Sequence, residues 1–262
     1  MIDILKAKNE FKKYIKQYDI EDKKIKLKIG HMERVSNNSK KLAKSLNLEE
    51  EDIKLAQLIG LLHDIGRFEQ AKRYNTFVDK DSINHGELGV KILFESNLIR
   101  KFIEDTNYDK IIEKSILNHN KSMNDIEEKD LSKRELLHTK IIRDADKTDI
   151  IYILTFDDKK AIWEKEDLSN DIISDEIYRE FIECKKINYK ERKTSADILV
   201  SHFAYVYDFN FIQGLENIKE NNYLEKLYSR FKFKDKQTQK RYKEIYKISN
   251  QYIEEYINQK MK

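Results

Sequence analysis

The sequence predicts an all-α fold. Its 262 residues include no proline and only six glycines, the two residue types that most often interrupt helices. Few stretches alternate apolar and polar residues over the length of a strand, so a β-sheet is not expected. Hydrophobic residues make up 39% and charged residues 38%, which allows a buried core beneath a heavily solvated surface. We therefore expect long helices joined by short polar turns.

Apolar residues at helical spacing predict three helices in the first quarter of the chain, over residues 3–17, 23–46 and 50–64. An acidic run begins the third helix, where the helix dipole favours negative charge. This third helix is apolar on most sides, which predicts that it is the buried central helix. Gly66 is expected to end it. The polar and aromatic residues of 67–83 then predict an irregular loop.

Helical periodicity resumes after this loop. The remaining predicted helices lie over residues 84–95, 108–119, 131–152, 170–186, 195–206 and 235–258. No internal repeat and no Gly/Ser-rich linker marks a boundary between them. We predict a core over residues 1–155, which carries the motifs described below, and a C-terminal helical extension over residues 156–262 packed on that core.

Charge and cysteine content exclude several classes of protein. The 51 basic and 48 acidic side chains nearly cancel to a net charge of +3, so nucleic-acid binding is not expected. A single cysteine cannot form an internal disulfide and suits a reducing compartment. Charges interrupt the apolar residues near the N-terminus, and no stretch approaches the roughly 18 apolar residues of a membrane span. We expect a cytoplasmic protein. The sequence carries no signal for the oligomeric state, and a homodimer is compatible with it.

Six side chains are candidate metal ligands, namely His31, His63, Asp64, His85, His119 and Asp146. Apart from one adjacent pair they come from different predicted helices, and a divalent transition metal takes imidazole nitrogens and carboxylate oxygens that converge from rigid elements. His63 and Asp64 directly follow an apolar helical run, where an ionisable pair is costly to bury without a metal or another partner. A lone histidine is more often a hydrogen-bonded structural residue, so these patterns alone leave both roles open.

Three segments resemble the motifs of the HD-domain metal-dependent phosphohydrolase superfamily. They are GHMERV (30–35), similar to the upstream histidine segment, LIGLLHDIGR (58–67), similar to the signature, and IIRDADKTDI (141–150), similar to the closing segment. The family pattern is His, then His-Asp, then Asp, and it implies metal ligands at His31, His63, Asp64 and Asp146. The resemblance covers about residues 30–155 and implies an HD-domain helical bundle, with the C-terminal helical extension outside it.

Helical geometry favours Asp146 over Asp144 as the closing aspartate. Asp146 shares a helix face with Ile142 and Ile150, which should be the buried face. Asp144 points about 160° away around the helix. We therefore expect Asp144 on the surface or behind the ligands, and Lys147 pointing outward.

His85 and His119 resemble the additional histidines of HD families that bind two metals. Those families include the HD-GYP cyclic-dinucleotide phosphodiesterases, whose GYP signature is missing here, and the HD-type di-iron oxygenases. The resemblance implies a second ion held by His85, His119 and a bridging Asp64. The alternative is a single ion, with the two histidines contacting substrate phosphate. Manganese, iron, cobalt, nickel and zinc all suit these ligands.

The resemblance implies a phosphohydrolase in which metal-activated water attacks a nucleotide or another small phosphate ester. Asp64 and Arg67 are the predicted catalytic residues. Arg67 follows the signature directly, where related enzymes often carry a basic residue that faces the substrate, so it is also a predicted phosphate ligand; the alternative is a surface arginine on a loop. Arg73 and Tyr74, on the same predicted loop, are the other predicted substrate-binding residues.

Two other functions fit the same residues. An HD-type di-iron oxygenase would use the same six ligands. A non-enzymatic module would bind a nucleotide in a degenerate HD pocket and regulate a partner, although the intact ligand set argues against it. The substrate itself is not predicted, because its specificity would depend on residues 67–83 and on the C-terminal extension.

Overall fold

The computed structural model of the protein describes residues 2–163, 167–184, 187 and 189–260. Within these ranges the chain forms helices and connecting segments and no strand, which confirms the predicted all-α class. No helix in the same ranges is long and apolar enough to cross a lipid bilayer. The chain divides into two compact units, Met1–Asp149 and Ile150–Lys262. The functional boundary expected near residue 155 stays a prediction.

The first unit consists of seven helices and the beginning of an eighth within its described residues. They are α1 (Ile4–Ile15), α2 (Lys23–Ser45), α3 (Glu50–Leu62), α4 (Ile65–Tyr74), α5 (His85–Val90), α6 (Ile99–Phe102), α7 (Asp109–Asn118) and α8 (Lys133–Phe156). A π-helical turn continues α5. Of these, α1, α2, α3, α5, α7 and α8 correspond to predicted helices with shifts of a few residues at their ends.

Helix α3 is the central helix of the first unit, as predicted, because every residue from Leu55 to Leu62 is buried. It packs closely on α2 at Gly60. A Cβ atom at Gly60 would lie 2.9 Å from the Cα of Ser36 and 2.9 Å from the carbonyl oxygen of Val35. This approach of the two backbones positions His63, one turn after Gly60 at the end of α3, and His31, about one turn before Val35 on α2.

The prediction of an irregular loop over residues 67–83 is wrong for the first part of that range, because Ile65–Tyr74 is helical. Gly66 does not end α3. It lies in the first turn of α4, where a Cβ would collide with the carbonyl oxygen of His85, so this glycine permits close packing of α4 against α5. The irregular segment begins only at Asn75, which ends α4 in the left-handed conformation (φ 53°).

Helix α8 is buried on more sides than predicted. Asp144 is fully buried and Lys147 is 7% exposed. Of the two positions expected for Asp144, on the surface or behind the ligands, the first is wrong, and the outward orientation expected for Lys147 is also wrong. Both side chains take part in polar or electrostatic contacts. The helical-face argument failed because it assumed a single buried face, whereas α8 is enclosed over most of Ile141–Asp149.

The second unit contains the end of α8 and a further set of helices. They are α9 (Lys159–Trp163), α10 (Asp175–Cys184), α11 (Ser195–Phe203), α12 (Ile212–Glu220), α13 (Tyr223–Arg230) and α14 (Lys236–Lys260). Predicted helices correspond to α10, α11 and α14, although residues 185 and 186 of the first lie outside the described residues. Helices α9, α12 and α13 were not predicted. Tyr242 is central to this unit's core, with its ring against Phe203 and Phe233.

Candidate metal centre

Helix α2, the turn after α3 and helix α8 bring four of the predicted ligands together. The first donor group consists of His31 Nε2, His63 Nε2, Asp64 Oδ2 and Asp146 Oδ1. His31 Nε2 lies 3.3 Å from His63 Nε2, 3.1 Å from Asp146 Oδ1 and 3.5 Å from Asp64 Oδ2. His63 Nε2 lies 3.6 Å from Asp146 Oδ1 and 3.7 Å from Asp64 Oδ2. Donors bound to one ion at about 2.1 Å are separated by roughly 3.0–3.4 Å. The separations here, 3.1–3.7 Å, are close to the spacing of a shared coordination site.

The other oxygen of Asp64 belongs to a second donor group, with His85 Nε2 and His119 Nε2. Asp64 Oδ1 lies 3.2 Å from His85 Nε2 and 3.5 Å from His119 Nε2, and the two nitrogens are 3.0 Å apart. Helices α5 and α7 supply these histidines, at the start of one helix and just past the end of the other. Asp64 therefore offers one oxygen to each group, which is the arrangement of a carboxylate that bridges two ions. Five of the six predicted ligands form two metal-compatible clusters that share Asp64, and Asp146 adjoins the first through its contacts with His31 and His63.

Two histidines are oriented by the main chain of the helix that carries them. His63 Nδ1 donates to the carbonyl of Gly60 (2.9 Å), and His119 Nδ1 donates to the carbonyl of Ile116 (2.6 Å). A carbonyl oxygen can only accept, so the proton of each neutral ring is on Nδ1 and the lone pair is on Nε2. The lone pairs are therefore directed into the donor groups.

The other two histidines are oriented by carboxylates. His31 Nδ1 donates to Asp149 Oδ2 at 2.7 Å, and the other oxygen of Asp149 accepts from Arg34 Nε at 2.7 Å. His85 Nδ1 donates to Asp79 Oδ2 at 2.7 Å. A carboxylate behind a histidine fixes its tautomer and raises its basicity, which is the usual support of a metal-binding imidazole.

The electrostatics of the cluster keep its carboxylates ionised. Burial alone would raise the pKa of Asp64, but Lys28 and the surrounding histidines hold it well below its usual range. Burial would likewise raise the pKa of Asp146, and hydrogen bonds from His31 and His63 hold it well below its usual range. Burial lowers the pKa of His119 to about 4, so that imidazole is neutral near pH 7. Anionic oxygens and neutral nitrogens are what a divalent cation requires of its ligands.

His31 differs from His119 when only a proton can bind. Burial and the nearby Lys28 lower its pKa, but hydrogen bonds to Asp146, Asp149 and Asp64 raise it to about 10. A cation bound in the first donor group would take the place of that proton, because the metal and the proton compete for Nε2.

A family model described as HD domain matches residues 29–151. This matched segment is an HD domain. The resemblance found in the sequence is thereby confirmed, and the matched region contains all six candidate ligands. The superfamily consists largely of hydrolases, and its domain typically binds divalent metal ions. Comparison with curated proteins and with solved structures found no match to the chain.

A lysine that the sequence reasoning missed lies beside the cluster, one residue before the segment matched as HD domain. Lys28 Nζ lies 2.7 Å from Asp64 Oδ2, and its side chain is only 17% exposed. Lys28 also lies 6.0 Å from the centre of the Phe77 ring. Its position one helical turn before His31 on α2 was the available signal, since residues three apart share a helix face.

Arg67 is held within the HD domain rather than on a loop surface, because it lies on α4 and its side chain is 15% exposed. Its Nη1 donates to Gln70 Oε1 (2.8 Å), to Asp79 Oδ1 (2.8 Å) and to the carbonyl of Phe77 (2.5 Å). Its Nε lies 3.7 Å from Asp64 Oδ1, is buried, and has no hydrogen-bond partner within the part of the chain that the structure describes.

Arg73 and Tyr74 do not join this cluster. Arg73 Nε pairs with Glu69 at 2.6 Å, its side chain is 54% exposed, and it lines a separate cavity with Lys13 and Lys101. Among the described residues, no hydrogen bond, ion pair or ring contact connects Arg73 or Tyr74 to the six candidate ligands. Because α4 is a helix, Arg73 is rotated far from Arg67, and a shared loop is no longer a reason to place them together.

Proposed function

We propose that this HD domain is a metal-dependent phosphohydrolase that acts on a nucleotide or another small phosphate ester. The observation that carries the proposal is Asp64, whose two oxygens each complete a separate group of histidine nitrogens. Two ions of manganese, iron, cobalt, nickel or zinc would be held by the two donor groups. When bound, such ions supply Lewis acidity, which activates water toward phosphorus near neutral pH.

Two cationic side chains beside Asp64 support a phosphate substrate. Lys28 approaches one oxygen of Asp64 and Arg67 approaches the other. The buried Nε of Arg67 has no hydrogen-bond partner among the described residues, and a bound phosphoryl oxygen would compensate the desolvation of this donor. In the proposal Arg67 donates to a phosphoryl oxygen, and Lys28 neutralises the charge of the bound phosphate.

A cavity beside Lys28 supports a substrate with a planar organic group. The cavity has a volume of about 280 Å³, and its walls include the aromatic rings of Tyr18, Phe68 and Phe77. Asn75 and Thr76 add amide and hydroxyl groups that can form hydrogen bonds. Phe77 connects the cavity to the cluster, because its ring also lies near Lys28 Nζ. In the proposal a nucleoside or aryl group occupies this cavity, and its phosphate extends past Phe77 toward Lys28 and Asp64.

The test is reconstitution of activity. Protein treated with a chelator would be dialysed, reloaded with Mn²⁺, Fe²⁺, Co²⁺, Ni²⁺ or Zn²⁺ separately, and assayed against nucleotides and an aryl phosphate. We expect at least one metal to restore hydrolysis, and Asp64→Asn to lower kcat/KM by about 100-fold or more because both donor groups lose an anionic oxygen. Asp81→Asn is the matched control, since Asp81 is an exposed carboxylate on the segment before α5.

Failure of every metal to support turnover of any phosphoester would contradict the proposal. Oxygen consumption together with a mixed-valent iron signal would then identify a di-iron oxygenase. Nucleotide binding by the metal-loaded protein without turnover would identify a regulatory binding module.

A further inference from the structure

We infer that Asp79 is a positioning residue whose single carboxylate orients both a ligand of the second donor group and the phosphate-binding Arg67. The inference rests on the proposed function and extends it to the irregular segment between α4 and α5. Asp79 begins a short 3-10 turn, Asp79–Asp81, in that segment, and its side chain is 31% exposed. The sequence reasoning gave this residue no role.

The first connection is to His85. Asp79 Oδ2 and Oδ1 lie 2.7 Å and 2.9 Å from His85 Nδ1, so the proton on Nδ1 is held and Nε2 is directed to Asp64 Oδ1. His63 and His119 obtain the same restraint from main-chain carbonyls, and His31 obtains it from a buried aspartate on α8. Of the four groups that accept a hydrogen bond from a histidine Nδ1 in this cluster, only the acceptor of His85 lies in an irregular segment.

The second connection is to Arg67. Asp79 Oδ1 accepts from Arg67 Nη1 at 2.8 Å, on the edge of the guanidinium that is turned away from the cluster. Because the guanidinium is planar, holding Nη1 also fixes the direction of Nε, which faces Asp64 Oδ1. Loss of the Asp79 carboxylate would remove the anionic one of the three acceptors of Nη1 and so loosen the arginine, while Gln70 Oε1 and the carbonyl of Phe77 would still hold it in part.

Gln70 attaches this segment to α4. Its side chain is fully buried, and its Nε2 lies 2.9 Å from Asp79 Oδ1, from Ser82 Oγ and from the carbonyl oxygen of Ile83. Its Oε1 accepts from Arg67 Nη1. The position of Asp79 is thus set from α4, while the histidine that it orients belongs to α5. Occupancy of the second donor group and alignment of Arg67 should change together when Asp79 changes.

The experiment measures metal stoichiometry and affinity, which do not depend on turnover. Wild type, Asp79→Asn, His85→Ala and Arg67→Gln would be equilibrated with buffered Mn²⁺ and their metal content determined. We expect two ions in wild type, one in His85→Ala, and two in Arg67→Gln. In Asp79→Asn the affinity for the second ion should fall by about 10–100-fold, while the affinity for the first stays within about twofold.

A second readout separates the positioning role from a general loosening of the segment. At Mn²⁺ concentrations that fill both sites of Asp79→Asn, we expect KM for a phosphoester to remain several-fold above the wild-type value, because Arg67 is misaligned. Asp81→Asn, on the same turn, should match wild type in both readouts. If Asp79→Asn does not fold, Asp79→Glu tests the same point, since it keeps the charge but displaces it, and it should also weaken the second ion.

Several results would overturn the inference. One is equal affinity of Asp79→Asn and wild type for the second ion. Another is loss of the second ion in Arg67→Gln to the same extent, because the effect would then pass through the arginine. A single ion in wild type would also overturn it, and if that protein still hydrolysed phosphoesters the proposed function would stand. Loss of the second ion in Asp79→Asn with no phosphoester turnover in wild type would instead contradict the proposed function alone.

Discussion

Replacing Gly60 by alanine should disturb the first donor group from a distance. Gly60 is where α3 approaches α2, and an added methyl group would lie 2.9 Å from the Cα of Ser36 and 2.9 Å from the carbonyl oxygen of Val35. Ordinary contact begins near 3.4 Å, so the two backbones must separate by about 0.5 Å. Metal donors tolerate errors of about 0.2 Å, and such a movement carries His31 away from His63.

The energetic cost follows from two opposing effects. Overpacking a well-packed core costs about 1–3 kcal/mol, and contact with backbone rather than with a flexible side chain favours the upper part of that range. Alanine recovers up to about 1 kcal/mol because it is a better helix former than glycine. We expect a net loss of about 1–2 kcal/mol, which lowers Tm by about 2–4 °C for each kcal/mol.

Thermal unfolding in a chelator would measure the loss of stability, and titration with Mn²⁺ would separately measure the loss of metal affinity. Gly30→Ala is the matched control, because a methyl group there meets only the end of the flexible Arg34 side chain, at 3.2 Å. Gly30→Ala should be as stable as wild type or more so. The reasoning is refuted if Gly60→Ala keeps both the wild-type Tm and the wild-type affinity for the first ion.

Three further changes test the electrostatics of the first unit. Asp149→Asn should lower the affinity for the first ion by about 10–100-fold and leave the second unchanged, because His31 loses its carboxylate support; calorimetric titration with Mn²⁺ would detect this. In a chelator, the pKa of His31 is raised to about 10, against an ordinary value of 6.5. Protonated His31 therefore stabilises the fold fully below pH 6.5, and this stabilisation is lost as the pH rises toward 10. His31→Gln should remove this decline from thermal unfolding curves, and bound metal should also remove it. At the acid end, the hydrogen bond from His138 lowers the pKa of Asp52 to about 2, so its contribution is present above pH 3.8 and is lost as the pH falls toward 2. Asp52→Asn should abolish that part of the acid unfolding, followed by circular dichroism, and an unchanged acid transition would contradict the assignment.

The ligand cluster was accessible to sequence reasoning because its chemistry is concentrated in a few motifs. The adjacent pair His63 and Asp64 follows an apolar helix that is almost entirely buried, so polar residues there need a specific partner. Family resemblance supplied the order in which His31 and Asp146 join them. The six side chains come from positions far apart in the chain, and their convergence depends on packing such as that at Gly60.

The surroundings of the cluster were less accessible, for two physical reasons. Helix α4 was missed because its buried face includes Gln70, a polar residue whose hydrogen bonds are made to a segment that follows it. Lys28 and Asp79 were missed because their contacts join residues distant in sequence, and no single periodicity encodes such pairs. The surface alternative for Asp144 and the outward orientation of Lys147 were wrong for the related reason that a helix pattern does not reveal how many neighbours enclose the helix.

The four histidine supports have a consequence for altering the metal preference of this protein. Each donor group contains one imidazole restrained by a main-chain carbonyl, which no substitution of a side chain removes. Each also contains one imidazole restrained by a carboxylate, Asp149 in the first group and Asp79 in the second. In the proposed two-ion site, the donor strength of each group would therefore be tuned independently by one change to the carboxylate behind its histidine, while the other imidazole of that group keeps its direction.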